Sequence, residues 1–209
     1  MRFIEASDQS LLVEFEGGIG IETHHKVVRL LHAMEESKLA GVRNLHPAYC
    51  SILVVFDPLT TEPERLEAEI LGIDMEQVAL PPPRLVEIPV HYDGPDLEEV
   101  AAYHGIDARR VVELHSSALY TVYFLGFVPG FAYMGGLPEE IATPRRQSPR
   151  KQVPAGSVGI AGAQTGVYPF ATPGGWQLIG HTTVDMFRPD RDQMNLLSIG
   201  DRVRFVAAS

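Results

Sequence analysis

Over the first eighty residues, stretches of alternating apolar and polar positions give way twice to stretches with apolar residues three and four apart. Arg2 to Asp8 and Leu11 to Phe15 alternate, with turn residues Asp8-Gln9-Ser10 between them, and read as a hairpin. After Gly17-Gly18, the spacing of Val27, Leu30, Leu31 and Met34 predicts a helix from about Glu22 to Leu39, with Gly41 as its stop. Val42 to Tyr49 and Ser51 to Phe56 read as a second strand pair, which Asp57-Pro58 ends. Thr61 and Glu64 have the spacing of a capping box ahead of Leu66, Ile70 and Leu71, so a second helix is expected there, closing near Gly72. The order is ββαββα. An antiparallel four-stranded sheet with both helices on one face satisfies it, because each helix can then bury its apolar stripe. Pro81-Pro82-Pro83 marks a stiff boundary, which divides the chain into an α/β domain of residues 1–83 and a second domain of residues 84–209.

From Arg84 the pattern changes. Leu85 to His91 is a strand and Asp93-Gly94-Pro95 a turn; Asp96 with Glu99 is placed to cap a short helix carrying Leu97, Val100 and Ala101, closed by Gly105. Asp107 opens another short helix through Val111, Val112 and Leu114 to about His115. Strands are then expected at Tyr120 to Phe127, Val158 to Ala161, Trp176 to His181 and Arg202 to Val206. The stretch from Tyr120 to His181 is dense in Gly, Pro and aromatic residues, as a tightly turned β surface requires and a flexible linker does not. Many short strands punctuated in this way predict a closed or nearly closed barrel, and an α+β chain as a whole.

Composition narrows the functional classes. The chain has 209 residues, 45% hydrophobic and 21% charged, ordinary values for a globular protein. Its net charge of −10 and pI near 5.2 argue against a nucleic-acid binder, which needs a basic footprint. The single cysteine, Cys50, cannot form an intramolecular disulfide and reads as a small strand residue. The N-terminal MRFIEASDQS has no apolar leader and no run reaches the length of a membrane span, so a cytoplasmic protein without a membrane partner is expected.

Familiar catalytic motifs are missing: there is no phosphate loop, no G-x-S-x-G, no H-E-x-x-H and no clustered Cys/His metal set. His24 and His25, about 100° apart around a helix, read as surface histidines. Arg145, Arg146, Arg150 and Lys151 place four of the 17 cations within seven residues, either as a solvated basic loop or as a site for a carboxylate or phosphate. Pro154 to Gly162 exposes backbone amides past small side chains, so Gly156, Ser157, Gly159 and Gly162 form either a backbone cradle or a tightly packed strand. Gln164 and Tyr168 follow with polar ends that could orient a ligand, and Trp176 is either a pocket wall or a core plug. His115 is the candidate general acid or base, with a buried structural histidine as the competing reading.

The run FLGFVPGFAYMGGLPEEIATPRRQSPRKQVPAGSVGIAGAQTGVYPFATPGGWQLIGHT, together with the closing GDRVRF strand, closely resembles the family of 5-oxoprolinase B subunits. That family is also called allophanate hydrolase subunit 1 and includes the Kip-type inhibitor of a sporulation histidine kinase. The resemblance covers essentially the whole chain and implies a cyclophilin-like β-barrel after the N-terminal domain. It also implies a larger partner subunit of related barrel fold and a third subunit, acting together in the ATP-dependent opening of 5-oxo-L-proline to L-glutamate. On this reading Arg145, Arg150 and Lys151 hold anionic groups with Gln164 and Tyr168, the Gly-rich backbone supplies dipoles, and His115 is the base. ATP binds at a site shared with the partners. Two residues depart from the pattern: Ala163 stands where a third glycine is common, and Gly180-His181-Thr182 stands where the family usually reads Gly-Arg-Thr, so His181 carries an anion-binding role only when protonated. Inhibition of a histidine kinase through exposed Phe127, Phe131, Tyr133 and Met134 is a second implied function, and allophanate hydrolysis a third.

Overall fold

A computed structural model describes residues 1–80 and 82–208. Two compact units divide it, Met1–Pro82 and Pro83–Ser209. Of the proline run, Pro81 lies outside the described residues.

In the first unit β1 (Arg2–Ser7), β2 (Ser10–Glu14), β3 (Val42–Pro47) and β4 (Ser51–Phe56) form an antiparallel sheet in the order β1-β2-β4-β3. Alternation sorts the side chains. Leu11, Val13, Ile52, Val54 and Phe56 are at most 2% exposed, whereas Leu12, Leu53 and Val55 between them are half-buried. Helix α1 (Ile21–Ser37) buries Val27, Leu30, Leu31 and Met34, and α2 (Pro63–Leu71) buries Leu66 and Ile70. The ββαββα order expected from periodicity is therefore present.

Several local expectations fail, each for a visible reason. Lys38, not Gly41, takes the left-handed conformation that ends α1. Thr61 does not cap α2: Glu62 precedes the helix, Pro63 occupies its first turn without needing an N–H, and the buried Thr61 packs against Gly41 instead. His24 is buried on the inward side of α1 at 1% exposure, so only His25 of the pair is on the surface. Cys50 lies in the bend between β3 and β4, where its carbonyl accepts from Phe15 N–H.

The second unit is built on β5 (Leu85–Val90), α3 (Leu97–His104), α4 (Ala108–Ser117), β6 (Tyr120–Leu125), β7 (Ala132–Gly135), β8 (Arg150–Val153), β9 (Ser157–Ala161), β10 (Gln164–Val167), β11 (Thr172–Gly174), β12 (Gln177–His181) and β13 (Arg202–Ala207). Seven strands pair in the order β12-β9-β10-β7-β6-β13-β5, and β8 pairs with β11 alongside. The two edges of the seven-stranded sheet meet where the chain leaves β5: His91 and His181 exchange both backbone hydrogen bonds at 2.8 Å, and the Gly94 and Asp96 amides donate to Ile179 O and Leu178 O at 3.2 and 2.9 Å. These bonds nearly close the barrel. Gly94 is required at the same crossing, since a Cβ there would lie 2.3 Å from backbone atoms of Leu178 and Ile179. Helices α3 and α4 bury Leu97, Val100, Val111 and Leu114 in one core with Ile88, Val90, Tyr120, Val203 and Phe205.

Asp107 caps α4 as expected, its carboxylate accepting from Arg110 N–H at 2.7 Å. Asp96, at the matching position of α3, makes no such bond. Its side chain points elsewhere, and that difference organises the surface described next.

Candidate functional site

Asp96 is 2% exposed, and three donors converge on its carboxylate. Arg146 Nη1 and Arg150 Nη2 donate to Oδ1 at 2.9 and 2.6 Å, while the Leu178 backbone N–H donates to Oδ2 at 2.6 Å. Arg146 also reaches Glu99 at 3.3 Å, and its backbone N–H donates to Gly175 O at 2.8 Å. The basic segment is thus clamped onto the start of β12 by a buried anion. Arg146 and Arg150 are neutralised within the fold, so Arg150, expected to hold a ligand anion, is committed to Asp96.

Clamping leaves a different arginine to solvent. The Arg145 guanidinium lies 6.0 Å from the centroid of the Trp176 ring. Cation–π stacking of this kind holds the charge in place without neutralising it. Trp176 is 4% exposed and packs edge-on to Phe131, Tyr133 and Tyr168 at 5.3, 5.9 and 6.4 Å between ring centroids. The tryptophan is therefore a core plug whose face seats Arg145. Burial raises the Tyr133 and Tyr168 phenols above their ordinary range, and the Arg145 charge opposes that rise at both. Lys151 is exposed on β8, Gln164 is half-buried at the start of β10, and Tyr168 is 2% exposed.

His115 is in the core, away from this surface. It is fully buried beneath Phe205, its ring 4.7 Å away and stacked. Burial pushes its pKa down to about 3, so the imidazole is neutral. Burial also keeps the Tyr92 phenol protonated, and it donates to Nδ1 at 2.8 Å. Nε2–H in turn donates to Thr165 Oγ1 at 2.9 Å, and that hydroxyl donates to Gly159 O at 3.0 Å. Both ring nitrogens are occupied. The competing reading, a structural histidine, fits these contacts, and a general base there has no access to water.

Nor is the Gly-rich stretch an open cradle. Strand β9 is buried along its whole length between β10 and β12, so its amides serve the sheet ladders. The amides of Gly156, Ser157 and Gly162 donate to Tyr168 O, Pro154 O and Thr143 O. Close packing explains two glycines: a Cβ on Gly156 would lie 2.2 Å from Thr182 O, and one on Gly159 would lie 3.1 Å from Trp176 Cβ.

His181 sits at the far end of β12 from Trp176, about 16 Å away at the usual rise per residue of ~3.3 Å. Its Nδ1 meets Asp93 Oδ1 at 2.7 Å, and its ring stacks on His91 at 5.1 Å. The hydrogen bond from His181 holds the Asp93 carboxyl below its ordinary range. One small anion cannot span His181 and Arg145. Sequence reasoning missed Asp96, whose place ahead of an apolar helix is indistinguishable from a cap.

The profile of a family described as Carboxyltransferase domain, subdomain C and D, matches residues 1–197. A curated relative, the 5-oxoprolinase B subunit of Escherichia coli O157:H7, is 45% identical over 203 residues, covering 95% of this chain and 92% of that protein. The chain belongs to the family of 5-oxoprolinase B subunits. The crystal structure of TTHA0988 in space group P212121 matches with a TM-score of 0.87 and 37% identity over 96% of this chain. The chain spans only 40% of that longer polypeptide. The urea carboxylase of Kluyveromyces lactis, at 20% identity, shares the fold with a TM-score of 0.78 over 99% of this chain and 22% of its own. The cyclophilin-like barrel expected of the family is thus the fold of the second unit.

Proposed function

We propose that the chain is the B subunit of an ATP-dependent 5-oxoprolinase, which hydrolyses 5-oxo-L-proline to L-glutamate together with a larger barrel-fold subunit and a third subunit. The observation that carries this reading is the 45% identity, across nearly the whole length of both chains, to a protein named for that complex.

The chemistry gives the surface a part. A five-membered lactam is a resonance-stabilised amide, so water does not attack it readily. Transfer of the ATP γ-phosphoryl group to the lactam oxygen makes the ring carbon electrophilic; water adds there, the C–N bond breaks, and phosphate leaves. Such a site needs a fixed cation for the substrate carboxylate and others for phosphoryl charge. Arg145 is the candidate for the first, because it is exposed, held on Trp176, and has no carboxylate partner among the described residues. Lys151 and Gln164 are candidates for contacts beside it, and the Tyr168 ring forms part of the wall behind. With His115 occupied in the core, the general base and the nucleotide-binding residues are assigned to the partner subunits, and the chain alone is inactive. Any contact of ATP with this chain is then at a shared boundary.

Reconstitution tests the reading. Omitting this chain from a mixture of the three purified subunits should abolish ATP-dependent glutamate formation, and retained turnover would overturn the proposal. Kinase inhibition has less support, since Phe131 and Met134 are at most 1% exposed and only Phe127 of the four expected contact residues is fully on the surface.

A further inference from the structure

Phe127 combines two features that seldom meet in one residue. It is 58% exposed, and its φ is +71°. A bulky residue in the left-handed region is strained, and such strain persists only where the surroundings impose it. Here the surroundings are two consecutive turns. Val128 N–H donates to Gly126 O at 2.9 Å across Phe127, a γ-turn of the strained hand, and Phe131 N–H donates to Val128 O at 3.1 Å across Pro129 and Gly130. Gly130, at φ +82°, is what that second turn requires, and Gly126 N–H closes the loop onto Phe131 O. The result is a rigid tip whose aromatic ring projects outward. Nothing in the loop itself needs a phenyl group, because glycine or asparagine adopts the same φ with less strain.

On one side the ring rests on a buried aromatic cluster, Phe131 being 1% and Trp176 4% exposed. It meets Phe131 edge-on at 5.7 Å, and Phe131 leads to Trp176 and Arg145. On the other side, Phe187 packs against Gly130 and carries the ring of Phe170, itself 40% exposed. Aromatic side chains next to an arginine, on a preformed loop, make up the composition of binding hot spots.

We propose that Phe127 is the anchor by which this barrel docks into an apolar pocket of the larger subunit of its complex. The inference rests on the subunit reading above and adds the place of contact. A second polypeptide is the occupant chosen, for two reasons. In TTHA0988 the matched region is continuous with a further three fifths of chain, whereas the Escherichia coli relative is nearly all matched; the same unit thus occurs both joined to more polypeptide and separate from it. A second copy of this chain is disfavoured, because each copy brings a net charge of −10.

The test measures affinity of the purified larger subunit for the unaltered chain, for Phe127→Gly and for Phe127→Asn, with the melting temperature of each. Both variants should melt at the same temperature or a few degrees higher, since strain and an exposed ring are removed, yet bind at least ~30-fold more weakly. Unchanged affinity in both variants overturns the proposal while leaving the subunit reading intact. If the variants lose melting temperature together with binding, Phe127 is structural and the proposal fails. Absence of binding by the unaltered chain overturns the subunit reading and this inference with it. Sedimentation of the chain alone supplies the last outcome: a homodimer lost in both variants would show that the anchor serves self-association instead.

Discussion

Replacing Asp96 by alanine removes the acceptor of two guanidinium groups and one backbone amide at once. Breaking a buried ion pair by deleting one partner costs about 3–5 kcal/mol, because the stranded charge keeps its desolvation penalty and loses its compensation. Arg146 and Arg150 are themselves 30% and 23% exposed, so water recovers part of that loss, while Leu178 N–H lies within the sheet and does not turn outward. The expected destabilisation is therefore about 3 kcal/mol, a third or so of the stability of an average domain. Asp96→Asn, which keeps the shape and one acceptor oxygen but no charge, should lose roughly half as much. Urea unfolding followed by tryptophan fluorescence is suited to this measurement, since Trp176 is the only tryptophan and lies beneath the clamped segment. A loss below about 1 kcal/mol for Asp96→Ala would refute the argument, because that is the size of a surface ion pair.

Other perturbations separate the remaining roles. Arg145→Ala should weaken binding of 5-oxo-L-proline to the assembled complex by roughly 10- to 100-fold, as expected for loss of a charge-assisted contact, with little change in melting temperature; calorimetric titration measures the first and a thermal scan the second. Because burial lowers the His115 pKa from 6.5 to about 3, the unfolded chain binds a proton that the folded chain refuses between those values. This residue's contribution is thus complete above about pH 6.5 and falls by about 1.4 kcal/mol per pH unit on acidification towards 3; His115→Asn should remove that slope from a series of urea midpoints. Gly156→Ala should destabilise by about 2 kcal/mol or more through its clash with Thr182 O, whereas Gly162→Asn, with open space and φ +56°, should change the urea midpoint little.

The elements that periodicity located are those whose side chains face a single continuous core. Val27, Leu30 and Leu31 of α1 and the alternating Ile52, Val54 and Phe56 of β4 are legible because burial acts on every turn or every second residue. Phe127 was expected to continue a strand and instead leaves it at a turn, since φ is set there by hydrogen bonds to Gly126 and Phe131 and not by its own preference. Site residues were harder for the same reason. The basic segment stood out by composition, but whether Arg145 or Arg150 faced solvent depended on Asp96, about fifty residues earlier. His115 and the glycines of β9 have residue types suited to chemistry, and only their burial shows what they do.

Strand β13 lies inside the sheet, bonded to β6 on one side and running parallel with β5 on the other. On the ribosome this order has a cost in time. Leu85 to Val90 emerges early, but its neighbour in the sheet is not translated until Arg202 to Ala207, on the order of ten seconds later at ordinary elongation rates. Beyond the other edge of β5 the only backbone bonds among the described residues are those that His91, Gly94 and Asp96 make with β12, and these wait for residues 178–181. A nascent chain thus carries an unpaired apolar strand through most of its synthesis. Slowing elongation late in the message lengthens that exposure and should lower the soluble yield.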